Sequence, residues 1–481
     1  LKNTLFASVT ILANTVVRPK VLMLGWEFAP AISGGLGLAT YQLAKAISKY
    51  ADLTVIVPYL PEQAAVPEGF EMLALNRMAA DEAIETDIPG KATAYGAFAE
   101  VILIATELSP YPVPVRRTVM IEANDSPELL SPKEVPQLAE SEAANNKMNA
   151  RQIRDLFASG EAYGDNTMDK VLTFTQTVLQ LVEGRTFDII HTHDWLTMQA
   201  GVELKHKLGI PLVAHIHSLE TDRYGPAACH TENAIYKIEY IGMAEADLVI
   251  PVSHYTKNRI AEYYPNIDGS KVHVVYNAIN PDEGLFEPVN AMPEVSPEAP
   301  KRKMVLFVGR VTYQKGPDFL LETAEKIIAQ DPEVVFVVVG TGDLSNWLAT
   351  EVVNRGLGAN FILAGFLSPD RVAALMRTAS VYFMPSASEP FGLSALEAGL
   401  AGVPMVISAQ SGVAEVLDFV LKADYWDTDR FAHYILALLN NPALAQVLSE
   451  ENRRTIGKMS WDDAAMQVLA LYRFLLKKKA N

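Results

Sequence analysis

Short apolar runs recur along the chain, each closed by a turn residue and most followed by apolar positions at helical spacing. Lys20-Val-Leu-Met-Leu-Gly25 opens the series, and a helix bearing Leu43, Ala44, Ala46 and Ile47 follows it. Leu53-Thr-Val-Ile-Val-Pro58, Phe187-Asp-Ile-Ile190, Pro211-Leu-Val-Ala214 and Ala246-Asp-Leu-Val-Ile-Pro-Val-Ser253 read as further strands. Unbroken apolar runs of this length belong to parallel strands covered on both faces. A second series starts at Lys303-Met-Val-Leu-Phe-Val308 and continues through Val334–Val339, Phe361–Gly365, Val381–Pro385 and Pro404–Ser408. Helices are expected from Val171 to Val182, after His254, near Pro317, from Phe431 to Leu439 and from Trp461 to Leu476.

Two strand–helix series predict an α/β protein with two Rossmann-like domains facing a cleft. Residues 20–280 form the first and residues 303–458 the second, with 459–481 as a terminal helix. Residues 281–302 read as a linker, since 281–300 hold five prolines and several acids. Residues 60–170 are poorly patterned and read as insertions and surface helices without chemistry. Residues 1–19 contain no acid, and Leu5–Leu12 is strand-like without a secretory cleavage pattern. That extension fits either a transit-peptide remnant or the last strand of an upstream domain.

Composition narrows the function. Hydrophobic content of 49% with 20% charged residues gives an ample core. No apolar run reaches the roughly 18 residues of a membrane span. A net charge of −17 argues against nucleic acid and anionic membranes as partners. Any phosphate site must therefore be locally cationic. The single cysteine, Cys229, excludes an internal disulfide and a cysteine-rich zinc site, and suits the reducing cytoplasm.

The stretch from Ser386 to Pro404 carries the candidate chemistry. Val381–Pro385 closes a strand, and Leu393, Leu396 and Leu400 recur at helical spacing. The N–H groups of Gly392, Leu393 and Ser394 then sit at a helix N-terminus, where an anion is favoured. Glu389 and Glu397 flank that site. Ionised carboxylates only accept hydrogen bonds, so hydroxyls are their natural target. Donors for phosphate beside acceptors for polyols suit a nucleotide sugar.

Glu389-Pro-Phe-Gly-Leu followed by Glu397 resembles the Glu-x7-Glu signature of retaining glycosyltransferases with the GT-B fold, the glycogen/starch-synthase-like group. Three further places carry the likeness. Ser33-Gly34-Gly35-Leu36-Gly37 resembles the family's diphosphate-covering loop, with Gly34 and Gly35 binding the donor. Starch and bacterial glycogen synthases usually have a lysine where this chain has Ile32, which weakens an ADP-glucose assignment. Gly309-Arg310…Gln314-Lys315-Gly316 resembles the diphosphate clamp, with Arg310 as a planar bidentate contact and Lys315 as a point charge.

The histidines of His191-Thr-His193-Asp194-Trp195 and His215-Ile-His217 admit three readings: a metal site, core histidines, or groups lining a sugar cleft. The resemblance favours the last. It places His217 by the transferred hexose and Asp194 near that sugar or the acceptor. Asp427-Thr-Asp429 has the look of a metal motif but reads as a helix N-cap.

The resemblance implies that Lys271-Val-His-Val-Val-Tyr-Asn277 is the final strand of the N-terminal domain, and that a terminal helix crosses back onto that domain. It implies transfer of a hexose, most often glucose, from a nucleoside-diphosphate sugar to an α-glucan. Small-molecule, sucrose-type or lipid acceptors, or nucleotide-sugar epimerisation, are the alternatives. A glycoside hydrolase also needs two carboxylates but has no use for Arg310 or Lys315. Glu389 is expected on the hexose and Glu397 on the ribose, with no metal and no cofactor.

Overall fold

The structure, a computed structural model, describes residues 18–29, 34–79, 84–88, 146–160, 166–225, 233–280 and 303–480. The 281–302 linker, Ile32, Cys229 and nearly all of the 1–19 extension lie outside the described residues.

In the first domain the elements run β1 (Lys20–Leu24), α1 (Gly35–Ser48), β2 (Asp52–Val57) and β3 (Glu71–Ala74). An antiparallel pair, β4 (Glu85–Ile88) and β5 (Asn146–Asn149), precedes α2 (Ala150–Phe157) and α3 (Thr167–Leu181). Then come β6 (Ile189–His193), α4 (Trp195–Leu208), β7 (Leu212–Ile216) and α5 (Glu220–Tyr224). The series ends with α6 (Ala234–Glu245), β8 (Leu248–Pro251) and α7 (His254–Tyr263).

The second domain follows the same plan. It comprises β9 (Met304–Val308), α8 (Pro317–Ile328), β10 (Val335–Val339), α9 (Ser345–Asn354), β11 (Phe361–Gly365) and α10 (Pro369–Thr378). After these come β12 (Val381–Met384), α11 (Leu393–Leu400), β13 (Met405–Ser408), β14 (Leu421–Ala423), α12 (Thr428–Asn440), α13 (Pro442–Ile456) and α14 (Trp461–Ala480).

Both six-stranded sheets are wholly parallel, ordered β3-β2-β1-β6-β7-β8 and β11-β10-β9-β12-β13-β14. Strand order therefore reverses between β1 and β6, and again between β9 and β12. Ligands of doubly wound sheets bind outside the strand carboxyl ends at those reversals. Alternate residues of each central strand enter opposite cores. Leu22 and Leu24 face one layer while Val21 and Met23 face the other.

Helix α14 supplies Trp461, Ala464, Ala465, Val468, Leu469 and Tyr472 to the layer that holds Val21 and Met23. The terminal helix thus crosses back onto the first domain, as expected. Burying four large apolar side chains of this kind contributes roughly 6–12 kcal/mol, which is why a helix next in sequence to α13 leaves the second domain.

Three local outcomes refine the sequence reading. Asp427 accepts from the Arg430 N–H at 3.1 Å, so the Asp-x-Asp match is an N-cap as expected. Lys271–Asn277 is not a strand. His273 N–H and Val275 N–H bond to Val249 and Pro251 carbonyls, so the segment only runs beside β8 as an extended edge. The opposite edge strand β3 was not expected, because its residues are exposed or half-buried and form no continuous apolar run.

Candidate active site at the interdomain cleft

The expected donor-binding turns sit at both strand-order reversals. Strand β1 leads toward Gly34, which caps α1, and β12 leads through Pro385 to Glu389 and Gly392, which caps α11. Gly392 holds φ at 107°, a backbone state open to glycine and strained for other residues. A Cβ built on Gly35 would lie 3.6 Å from Leu393 Cδ1. The first residue of α1 and the first residue of α11 therefore meet across the cleft. Leu393 itself packs against cores of both domains. Two helix N-termini from opposite domains concentrate unpaired N–H groups and positive dipole ends in one region.

Arg310 and Lys315 frame the turn after β9. Lys315 forms an ion pair with Glu389, whose same oxygen accepts from Ser386 Oγ at 3.3 Å. The lysine stem lies along Gly309, and Gly316 turns left-handed (φ 66°) against the Pro385 carbonyl. A Cβ at Gly316 would come within 2.3 Å of that oxygen, so only glycine lets the clamp turn dock on the β12 exit. Arg310 is exposed and has no ion-pair partner among the described residues. Glu397 is partly buried on α11, and burial pushes its carboxyl up to about 7. Glu389 is 5% exposed.

On the facing side, His191, His193, His215 and His217 form a continuous ladder of buried rings. Neighbouring centroids are 4.5 to 5.3 Å apart. His191 Nε2 meets His215 Nδ1 at 3.2 Å, and His193 Nδ1 meets His217 Nε2 at 2.8 Å. Tyr472 of α14 closes the ladder by its hydroxyl on His191 Nδ1. Burial holds all four imidazoles far below their ordinary range, His191 and His217 at about 3, so they are neutral. Candidate ligand atoms of His191, His193 and His215 lie within 4.8 Å of one another. His193 nevertheless stacks over the other two rings, and the His191–His215 contact has hydrogen-bond geometry. That arrangement suits stacked neutral rings better than lone pairs converging on one ion.

Asp194 does not face the open cleft. It is 3% exposed, and its Oδ1 accepts from the His217 N–H at 2.6 Å and the Ser218 N–H at 3.2 Å. Asp194 is the one non-glycine residue with positive φ (57°) among the described residues. Burial lifts its carboxyl to about 6 against the opposing pull of Arg223 and the two N–H donors. Its geometry is that of a residue shaping the His217 turn. Strained backbone of this kind costs about 1–3 kcal/mol and marks functional sites.

The domains touch directly beside the site. Ser253 Oγ donates to the Pro390 carbonyl at 2.6 Å. Glu415 accepts from the His254 N–H at 2.9 Å and from Tyr276 Oη at 2.8 Å. Ser388 Oγ donates to Asp222 at 2.6 Å. Sequence reasoning missed Asp222, Arg223, Ser388 and Glu415. The signal available was Glu220-Thr-Asp222-Arg223, a charged run directly after a buried strand pair.

Residues 289–455 match the model of the group 1 glycosyl transferases, and residues 135–283 match that of glycosyltransferase family 4. An uncharacterised glycosyltransferase of Methanocaldococcus jannaschii is 32% identical over 301 residues, spanning 60% of this chain and 76% of the relative. This chain is a glycosyltransferase with the GT-B fold. The glycogen synthase of Mycobacterium tuberculosis is 26% identical over 291 residues, covering 59% of this chain and 68% of the synthase. The catalytic domain of starch synthase IV from Arabidopsis thaliana, bound to ADP and acarbose, superposes with TM-score 0.65 at 15% identity. It covers 96% of the glycosyltransferase and 100% of the starch synthase domain. No described helix is long and apolar enough to cross a membrane.

Proposed function

We propose that this glycosyltransferase moves a hexose, glucose in the first instance, from a nucleoside-diphosphate sugar to an α-glucan with retention at the anomeric carbon. The observation that carries this reading is the meeting of Gly35 and Leu393, where a Cβ added to Gly35 would lie 3.6 Å from Leu393 Cδ1, so that both helix N-termini come to one place for a diphosphate. Breaking the sugar–phosphate bond puts negative charge on the departing diphosphate. Arg310, Lys315 and the two helix N-termini stabilise that charge in a site sheltered from water.

Glu397 holds the ribose hydroxyls. Glu389 holds hexose hydroxyls once Lys315 turns from it to the phosphate. His217, neutral and fixed by the Asp194 turn, borders the hexose. Front-face attack by the acceptor, with the leaving phosphate taking its proton, needs no protein nucleophile and no metal. The setting proposed is cytoplasmic, in keeping with one cysteine in the whole chain.

The test is incubation with radiolabelled nucleotide glucose, UDP- and ADP-linked in parallel, with and without glycogen. Label in polymer supports the reading. Free glucose indicates a hydrolase and a changed nucleotide sugar an epimerase. No glycogen-dependent label with either donor sinks the α-glucan assignment.

A further inference from the structure

Helix α5 has only five residues, yet its side chains reach both domains. On one side, Arg223 donates to Ser218 Oγ at 2.6 Å, and Ser218 Oγ in turn approaches Asp194 Oδ2 at 3.3 Å. Arg223 also pairs with Glu220 at 2.9 Å and with Glu239 at 2.8 Å. This side of α5 is therefore welded to the turn that presents His217. On the other side, Asp222 receives the Ser388 hydroxyl at 2.6 Å, and Ser388 receives Tyr255 Oη at 2.9 Å. The donors and acceptors balance along the run from tyrosine to serine to aspartate. The second Asp222 oxygen accepts from Leu219 N–H at 2.8 Å, and Arg259 lies 3.4 Å from the first. Asp222 is 1% exposed and Ser388 5%, so solvent cannot replace either partner.

Ser388 is also the residue before Glu389, and its N–H donates to the Gln314 carbonyl at 3.3 Å, next to Lys315. One serine thus touches the clamp turn, adjoins the candidate hexose carboxylate and contacts the opposite domain.

We propose that Asp222 is a positioning residue that, through Ser388, fixes the Glu389–Lys315 pair of one domain against the His217 turn of the other. Helix α5 then sets the separation of groups that grip the hexose from opposite sides. The consequence for transfer rests on the function proposed above, whereas the tie between domains does not. Removing a buried hydrogen bond to a carboxylate, and with it the alignment, lowers turnover about tenfold to a hundredfold.

The experiment uses Asp222→Ala, Ser388→Ala, the double variant and Ser388→Thr in the full chain. With the donor that wild type uses, both single variants lose kcat about tenfold or more while KM for the donor changes less. The double variant is no slower than the worse single, and Ser388→Thr, which keeps the hydroxyl, returns close to wild type. A merely structural contact would shift melting temperature without this coupling in kcat. Small-angle scattering without any donor provides the independent arm: Ser388→Ala, a conservative change, increases the radius of gyration as the domains part. Additive kcat losses, or wild-type kcat in both single variants, overturn the positioning role. An unchanged radius in both overturns the tie itself. Absence of turnover in wild type with every donor refutes the proposed function and leaves the scattering result to decide the tie.

Discussion

Replacing Lys315 with methionine separates the structural from the chemical work of one side chain. In the free protein Lys315 neutralises Glu389, and the two side chains are only 19% and 7% exposed. Taking away one partner of a buried pair leaves an uncompensated charge and costs about 3–5 kcal/mol. Since the lysine retains some solvent, the lower end applies, about 3 kcal/mol. For a domain of this size that lowers Tm by roughly 6–12 °C. Turnover falls for a second reason, loss of a cation facing the leaving diphosphate. Removing one such stabilising donor costs about a hundredfold to a thousandfold in kcat. Glu389→Gln in the same chain removes the orphaned charge, so Lys315→Met/Glu389→Gln recovers most of the lost Tm and none of the lost activity. Differential scanning calorimetry and initial rates at saturating donor read the two effects. A double variant that regains activity together with stability would refute the phosphate role of Lys315.

Arg310→Ala acts differently: the side chain is exposed and has no ion-pair partner among the described residues, so Tm stays within about 1 °C while kcat falls by orders of magnitude, as paired melting curves and rates will show. Glu397 sets an acid limb. Its carboxyl titrates at about 7 in the folded protein, so below that pH it is protonated and grips the ribose less well. KM for the donor therefore rises as pH falls from 8 to 6, and Glu397→Gln flattens that profile. His217, held at about 3, contributes no limb in that window, so His217→Asn keeps the same pH dependence at a lower rate. Gly35→Ala adds a methyl at ordinary contact distance from Leu393, leaving Tm unchanged but raising KM for the donor through crowding of the diphosphate. Dialysis against a chelator leaves turnover intact; a loss restored by a divalent ion would contradict metal-free transfer.

Much of this architecture was legible because parallel strands buried on both faces leave unbroken apolar runs. Val381–Met384 and Met405–Ser408 are examples, each ending in a turn that a helix follows. Gly392 was legible as the start of a helix and Gly316 through the motif that resembles the diphosphate clamp; the structure adds that both hold positive φ. The edge strands β8 and β11 were legible too, but two segments at the rims of the first sheet were not. Glu71–Ala74 pairs on one side only, and Lys271–Asn277 looks apolar enough for a strand but makes a single bridge. The contacts across the cleft were hidden for another reason. Asp222 and Ser388 are 166 residues apart, and neither sits in a periodic pattern. Asp194 shows a third limit. The family resemblance implied a place near the sugar or the acceptor, whereas its carboxylate is spent on the backbone of His217 and Ser218.

The return of α14 to the first domain means that the polypeptide passes between the two halves twice. The two passages meet, since the Asn280 side chain accepts from the Trp461 N–H at 3.3 Å. Like two pins set side by side in a door frame, they permit swinging about one short line and oppose sliding or twisting. A small angular change there becomes a large gap at the far rim, so a bulky ligand can enter while the register of the opposing walls is preserved on every stroke.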